Sequence, residues 1–124
     1  MSQEIGSHSF DNLLASEVEV TEGATIVSGA GALARGTVLG KITASGKLTI
    51  VNSAGTDDGR RKPYAVLLES VDATSADKAA PVALAGLFNA NALVFGGTDT
   101  IATHKEALRD VGLYTTTNQP AVNG

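Results

Sequence analysis

The sequence contains no cysteine and no tryptophan, and its aromatic residues amount to only 4%. The absence of cysteine excludes disulfides, thiolate nucleophiles and cysteine-ligated zinc sites. Because large rings are scarce, the core must be built from small and β-branched side chains, each of which buries less area than an aromatic ring. We therefore expect additional burial through oligomerisation.

Positive charge and long hydrophobic runs are also scarce in these 124 residues. Nine basic residues stand against 13 acidic ones, which gives a net charge of −4. The one basic cluster, Arg60 to Lys62, directly follows Asp57 and Asp58, so we expect a solvated loop there rather than a phosphate-binding patch. No apolar run is long enough to cross a bilayer, and the first residues lack the pattern of a secretory signal. We expect neither nucleic acid nor a membrane as a partner.

The hydrophobic pattern divides the chain into an arm at 1–16, a β-rich domain at 17–117 and a C-terminal tail at 118–124. Alternation and apolar runs bounded by turn residues predict the strands. The predicted strands span residues 17–21, 25–28, 34–44, 47–51, 64–72, 80–88 and 113–117. A turn is predicted at 22–24, and the run at 64–72 is predicted to be the central strand because it is nearly continuously apolar.

Two glycines lie on the small inner face of the strand predicted at 34–44. We expect Gly36 and Gly40 to admit another backbone or to bend the strand at a barrel corner. Ser45 and Gly46 then predict a tight hairpin to the next strand. Pro81 is expected at the start or the edge of its strand, because proline cannot donate to a central ladder.

A single helix is well signalled. Thr103 is predicted to cap its N-terminus, Glu106 stands three residues on as in a capping box, and Gly112 is placed to end it in a left-handed conformation. Its apolar face comprises Ala107, Leu108 and Val111.

The residue types needed for catalysis do not form a recognisable constellation. His8 and His104 are not at a metal-ligand spacing, so solvated histidines are expected and no metal is predicted. Asp57 and Asp58 are interpreted as turn residues. The segment 29–34 fits G-x-G-x-x-A, but strand alternation follows it and no acid stands about 20 positions on, which argues against dinucleotide binding. We predict no catalytic residue and no cofactor.

The arm carries the functional signal that the residues themselves support. Its large apolar residues are Ile5, Phe10, Leu13 and Leu14. The last three fall at i, i+3 and i+4, the spacing of a short helical face. Such residues either fold back onto their own domain or become ordered on a partner, where they add a strand or fill a groove. The sequence leaves both alternatives open.

An ordered set of segments resembles the lambda-type bacteriophage head decoration proteins. They are the glycine-threonine strand at 31–47, the A-V-L-L strand ending in V-D-A-T at 65–74, the valine-alanine strand at 77–87, the N-A-N-A-L segment at 89–93 and A-L-R-D-V-G-L at 107–113. Each segment is weak alone, but their order is moderately specific. With the strand pattern, the resemblance predicts a mainly β fold: a small β-barrel or β-tulip-like domain with one short helix and an extended N-terminal arm.

The resemblance also implies a structural role. Proteins of this family form homotrimers on the outer surface of the expanded head, at or near three-fold and quasi-three-fold axes, and stabilise the shell against the pressure of packaged DNA. It implies the major capsid protein as partner, the virion as location after assembly in the host cytoplasm, and Ile5, Phe10, Leu13 and Leu14 as the capsid-binding residues of an arm that becomes ordered on the capsid. Two other classes stay open: a small β-barrel module that binds a saccharide or peptide through exposed aromatics, and a hydrolase that uses a serine, His104 and an aspartate.

Overall fold

A computed structural model describes residues 20–116 of the chain. The elements in chain order are β1 (Val20–Ile26), β2 (Gly31–Leu33), β3 (Val38–Lys41), β4 (Leu48–Ile50), β5 (Ala65–Leu67), β6 (Val71–Ala73), β7 (Lys78–Asn89), a 3-10 helix (Ala90–Ala92), α1 (Ile101–Asp110) and β8 (Leu113–Thr116). The prediction of a mainly β domain is therefore confirmed. The arm at 1–16 and the tail at 118–124 lie outside the described residues.

Five strands close into a barrel. Their order is β1-β4-β3-β5-β7, and β7 also pairs with β1, so the sheet returns to its starting strand. All of these pairs are antiparallel except β1 with β4, which are parallel and meet at Ile26 and Leu48. Closure pairs strand edges that an open sheet would leave unsatisfied.

The 12-residue strand β7 organises the fold. Seven of its first eight residues pair with β1, and Leu84 is skipped at a register shift. Two of the seven also face β5, and the last four residues of β7 pair in parallel with β8. Pro81 is the fourth residue of this strand and lies opposite Gly23. The strand continues through it, and the Pro81 carbonyl accepts a hydrogen bond from Leu68 N–H at 3.0 Å. Proline is tolerated because only its donor is missing.

Two hydrophobic clusters fill the barrel and the region beside α1. Among the phenylalanines and tyrosines in the described part of the chain, only Phe88 is fully buried, and the other side chains of the hydrophobic core are aliphatic, as the scarcity of aromatics predicts. The buried members of the first cluster are Ile26, Leu33, Leu39, Leu48, Ala65, Leu67, Ala73, Ala80 and Val82. The second contains Val38, Val51, Val66, Ala83, Phe88, Leu108 and Leu113.

The structure differs from the predicted strand pattern in three places. The turn predicted at 22–24 is wrong, because β1 runs unbroken from Val20 to Ile26 with Gly23 paired to β7. The strand predicted at 34–44 is interrupted where Thr37 donates both its N–H and its hydroxyl to the Ala34 carbonyl, next to Gly36 at φ +98°. That turn separates β2 from β3.

The central strand predicted at 64–72 is also divided. Its first part is β5, which lies in the barrel between β3 and β7, and its last part is β6, which pairs with β2 in a separate two-stranded sheet. Between them, Ser70 Oγ accepts the Arg35 N–H at 3.0 Å, and the Arg35 guanidinium donates to the Leu68 carbonyl. These bonds hold the chain where it leaves the barrel.

The helix begins earlier than the sequence indicates. Its N-cap is Thr100, so the prediction of Thr103 as the cap is wrong. Thr103 occupies the third helical position, where its hydroxyl accepts the Thr100 N–H at 3.1 Å, while Glu106 takes no part in this box. The C-terminal prediction is confirmed, because Gly112 follows the helix with φ +90°.

Close approach of a second backbone at Gly40 is confirmed. A Cβ atom at this position would lie 2.6 Å from the Arg60 carbonyl oxygen and 2.7 Å from the Arg60 Cα. The loop at 52–60 can therefore lie across β3 only because residue 40 has no side chain.

We predict that Gly40→Ala destabilises the domain, because a methyl group would force the Arg60 backbone away from β3. Overpacking of this kind costs about 1–3 kcal/mol, measurable as a shift in the urea midpoint. Gly23→Ala is the matched control: it also lies in a strand, and nothing lies within 4 Å of a Cβ added there. Equal losses in the two variants would contradict the close-approach account.

Candidate functional site

The predicted capsid-binding residues Ile5, Phe10, Leu13 and Leu14 all lie outside the described residues, so the structure neither brings them together nor separates them. What the structure shows is the surface next to the arm. The described chain begins at Val20, the first residue of β1, and β1 is exposed over most of its length. It pairs with β4 only at Ile26, so one edge of its first six residues has no strand partner in the described part of the chain.

Apolar side chains surround this starting point. Val20 lies opposite Ala85 of β7, and two residues further along β7, Leu87 lies opposite Tyr114 of β8. Val111 precedes Gly112, whose position faces Ala85: a Cβ added there would lie 3.6 Å from the Ala85 Cβ. We refer to these five residues (Val20, Ala85, Leu87, Val111 and Tyr114) as the basal patch. Sequence reasoning missed it, because its members come from four separate segments.

His104 is not the solvated histidine that the sequence predicts. It is buried, its ring stacks on Phe95 with centroids 5.5 Å apart, and its Nε2 lies 2.7 Å from Asp99 Oδ2. Asp99 also accepts two hydrogen bonds from Ser53, from the N–H at 2.7 Å and from the hydroxyl at 2.6 Å. This network fixes the start of α1 to the loop after β4.

The network does not have the order of a hydrolase triad. In a triad the histidine lies between the serine and the carboxylate, so that it can take the serine proton. Here the carboxylate of Asp99 lies between Ser53 and His104. The geometry therefore supports a structural latch, and the signal for it was an aspartate directly before a helix cap.

Two opposing effects act on the Asp99 carboxyl. Burial raises its pKa, but the hydrogen bonds from Ser53 and the contact with His104 outweigh burial and hold the pKa below its usual value. The unfolded chain therefore binds a proton at a higher pH than the folded protein does. The stabilisation is fully present above the unfolded pKa of about 3.9 and is lost as the pH falls through the lower folded-state pKa.

Asp58 has the turn role that the sequence predicts. Asp58 Oδ1 accepts the Arg60 N–H at 3.3 Å, and Asp58 Oδ2 lies 2.9 Å from Arg60 Nη2. The hydrogen bond from the Arg60 side chain lowers the Asp58 pKa. Arg61 and Lys62 are exposed as predicted, whereas Arg60 is partly buried. The loop borders an open groove of about 850 Å³, lined by Lys41, Thr43, Ala44, Asp57, Asp58, Gly59, Arg61 and Lys62.

The aromatic side chains do not form a platform for a saccharide or peptide. In residues 20–116, Phe88 is buried, Phe95 stacks on His104, and Tyr64 lies under the Lys41 ammonium at 4.9 Å from the ring centroid. Tyr114 is the one ring that is more than half exposed there. Within the same residues, no group of three metal-ligating side chains comes together, and no helix is long and apolar enough to span a membrane.

Comparison with known proteins decides the family. The model of the bacteriophage lambda head decoration protein D family matches residues 3–113, which include most of the arm and nearly all of the barrel. The chain belongs to this family. A search of curated proteins finds no match.

Membership in the lambda head decoration protein D family gives the chain a structural role in the phage capsid. Head decoration proteins associate with the capsid and are located in the virion. The structure agrees with the resemblance that the sequence indicates, because the matched region folds as a closed β-barrel with one helix in its described part.

The latch generates a testable prediction. Asp99→Asn should destabilise the domain by about 1.5–3 kcal/mol near neutral pH, because hydrogen bonds to a buried carboxylate are lost or weakened. It should also flatten the fall in stability below about pH 4, because the group with the lowered pKa is gone. Urea denaturation from pH 2 to 7 measures both effects. Asp57→Asn, in the exposed loop, is the control and should change stability by less than about 0.5 kcal/mol; an equal effect would contradict the latch.

Proposed function

We propose that this protein is a homotrimeric cement protein. It binds the outer surface of the expanded head at or near three-fold and quasi-three-fold axes, contacts the major capsid protein, and stabilises the shell against the pressure of packaged DNA. The observation that carries the proposal is the family match, which spans the arm and the barrel together. On this proposal the protein is located in the host cytoplasm during assembly, before it binds the head, and it has no enzymatic activity.

The composition and the core support trimer formation. A single buried phenylalanine and a core of alanine, valine, leucine and isoleucine limit the apolar area that one barrel can bury in its described part. Association adds burial and makes stability depend on protomer concentration. A trimer also presents three arms at once, so that contacts that are weak singly act together on the shell.

The arm supplies the capsid contact in this proposal. Ile5, Phe10, Leu13 and Leu14 are its anchors, which add to capsid strands or fill a groove between subunits. The start of β1 favours this mode, because its first six residues are largely exposed and keep an open edge beside β4 in the described chain. Extended backbone with an open edge is a template for pairing with another strand.

Deletion of residues 1–16 tests the role of the arm. We expect the truncated protein to stay folded, to keep a light-scattering mass three times that of its own shortened protomer, and to lose co-sedimentation with expanded, undecorated capsids. The physical reason is that the deletion removes all four anchors and leaves the barrel from β1 onward. Circular dichroism checks the fold.

Deletion of residues 118–124 is the matched control and should leave capsid binding unchanged. A second variant, with Phe10, Leu13 and Leu14 replaced by serine, separates the anchors from the length of the arm and should bind as poorly as the deletion. Decoration of shells by the truncated protein at the same concentration as the intact chain would contradict the arm proposal.

A further inference from the structure

The loop after β4 contains a dipeptide that can react with itself. Asp58 is followed by Gly59, whose nitrogen no side chain shields. This nitrogen can form a bond to the Asp58 Cγ, while the carboxyl C–OH bond breaks and its hydroxyl leaves as water with the Gly59 N–H proton. The product is a five-membered succinimide ring. Water then adds to one of the two ring carbonyls and breaks its bond to nitrogen, which restores aspartate or gives isoaspartate.

The fold requires glycine at position 59. Its φ is +112°, a left-handed conformation that side chains disfavour. A Cβ atom added there would overlap the Lys41 carbonyl oxygen and would lie 2.7 Å from the Thr43 hydroxyl. No bulkier residue can therefore take this position and slow the reaction, so protection of the dipeptide has to come from the residues around it.

The Arg60 side chain contacts both carboxylate oxygens of Asp58. Its Nε lies 3.0 Å from Oδ1, and its Nη2 lies 2.9 Å from Oδ2. The Arg60 N–H also donates to Oδ1, at 3.3 Å. The two side chains are partly buried, with 29% and 27% of their surface exposed. A two-oxygen contact between a guanidinium and a carboxylate is stronger than a hydrogen bond between neutral groups.

This contact opposes ring formation in two ways. The carboxyl must be protonated before it can lose water, and the hydrogen bond from the Arg60 side chain lowers the pKa of Asp58. One carboxyl oxygen must also depart, yet the guanidinium donates a hydrogen bond to each of them. The contact must therefore open before the Gly59 nitrogen can displace an oxygen.

We propose that Asp58 and Gly59 form a site of isoaspartate formation, and that the two-oxygen contact with Arg60 keeps this site unreactive in the folded protein. The contact is local to the loop, so the proposal does not depend on capsid binding.

Isomerisation would displace the loop from the barrel. It routes the main chain through the Asp58 side chain and so adds one methylene to the backbone. On either side the loop is held in place, because Thr43 N–H donates to the Asp58 carbonyl at 2.8 Å and Asn52 N–H donates to the Arg60 carbonyl at 3.1 Å. A phage particle makes no new protein, so damage of this kind would accumulate in a virion component.

Ageing of the folded, full-length protein tests the proposal. The parent and Arg60→Gln are incubated in mildly acidic buffer below their unfolding temperatures. Isoaspartate at position 58 is then measured by mass spectrometry of tryptic peptides with electron-transfer fragmentation. We expect Arg60→Gln to isomerise about tenfold faster than the parent, because a hydrogen bond to a charged group is worth at least that factor. Equal rates in the two proteins would overturn the proposal.

Arg61→Gln controls for loop mobility and for loss of positive charge. The Arg61 Nε donates to the Gly55 carbonyl at 2.9 Å, so this variant loosens the same loop and removes one charge but keeps the Arg60 contact with Asp58. It should isomerise at the rate of the parent. Equal acceleration in both variants would assign the protection to loop mobility or charge, and it would overturn the role of the two-oxygen contact.

The chain unfolded in urea gives the rate without protection. Unfolded parent and Arg60→Gln should react at equal rates, and faster than the folded parent, because the contact is absent from both. A folded parent that reacts as fast as the unfolded chain would contradict the proposal. If Arg60→Gln does not fold by circular dichroism, Arg60→Lys takes its place, since lysine keeps the charge but cannot contact both oxygens in the same way.

Discussion

The pairing of β1 with β7 is the constraint on which the rest of the structure depends. It turns an open sheet into a closed barrel, because β7 already pairs with β5 and β1 already meets β4. The same strand then continues to β8 and the 3-10 helix, so closure of the barrel also positions the helical region. A chain with few rings obtains its core through this closure, since small side chains must be enclosed from every side to bury enough area.

Local patterns predicted the elements that depend on nearby residues. The β3–β4 hairpin forms around Gly46 at φ +77°, Gly40 admits the Arg60 backbone, and Gly112 ends the helix, as the glycine positions indicate. Each of these features follows from the absence of a side chain at one position. The long apolar run of β7 was equally clear, since no polar residue interrupts it between Lys78 and Asn89.

Features that depend on distant partners were not predictable from the sequence. Glu22 to Ala24 has the composition of a turn, yet it stays extended because β7 pairs with it along its whole length. His104 is buried because Asp99 and Phe95 lie beside it, although the first turn of a helix is ordinarily solvated. The basal patch combines residues 20, 85, 87, 111 and 114, which only the tertiary fold brings together. The arm anchors are predictions from spacing and resemblance.

A rigid barrel and a tethered arm divide the work of a decoration protein. The barrel is closed, and Asp99 fixes the start of α1 to the loop after β4, so this part of the protein gives a surface of fixed shape. The arm provides contacts that form when a partner is present. The most direct test of this account is the stoichiometry of the intact protein on expanded capsids of its own phage. The account predicts saturable binding at three copies for every three-fold and quasi-three-fold site. Absence of saturable binding, or saturation at one copy for each site, would contradict it.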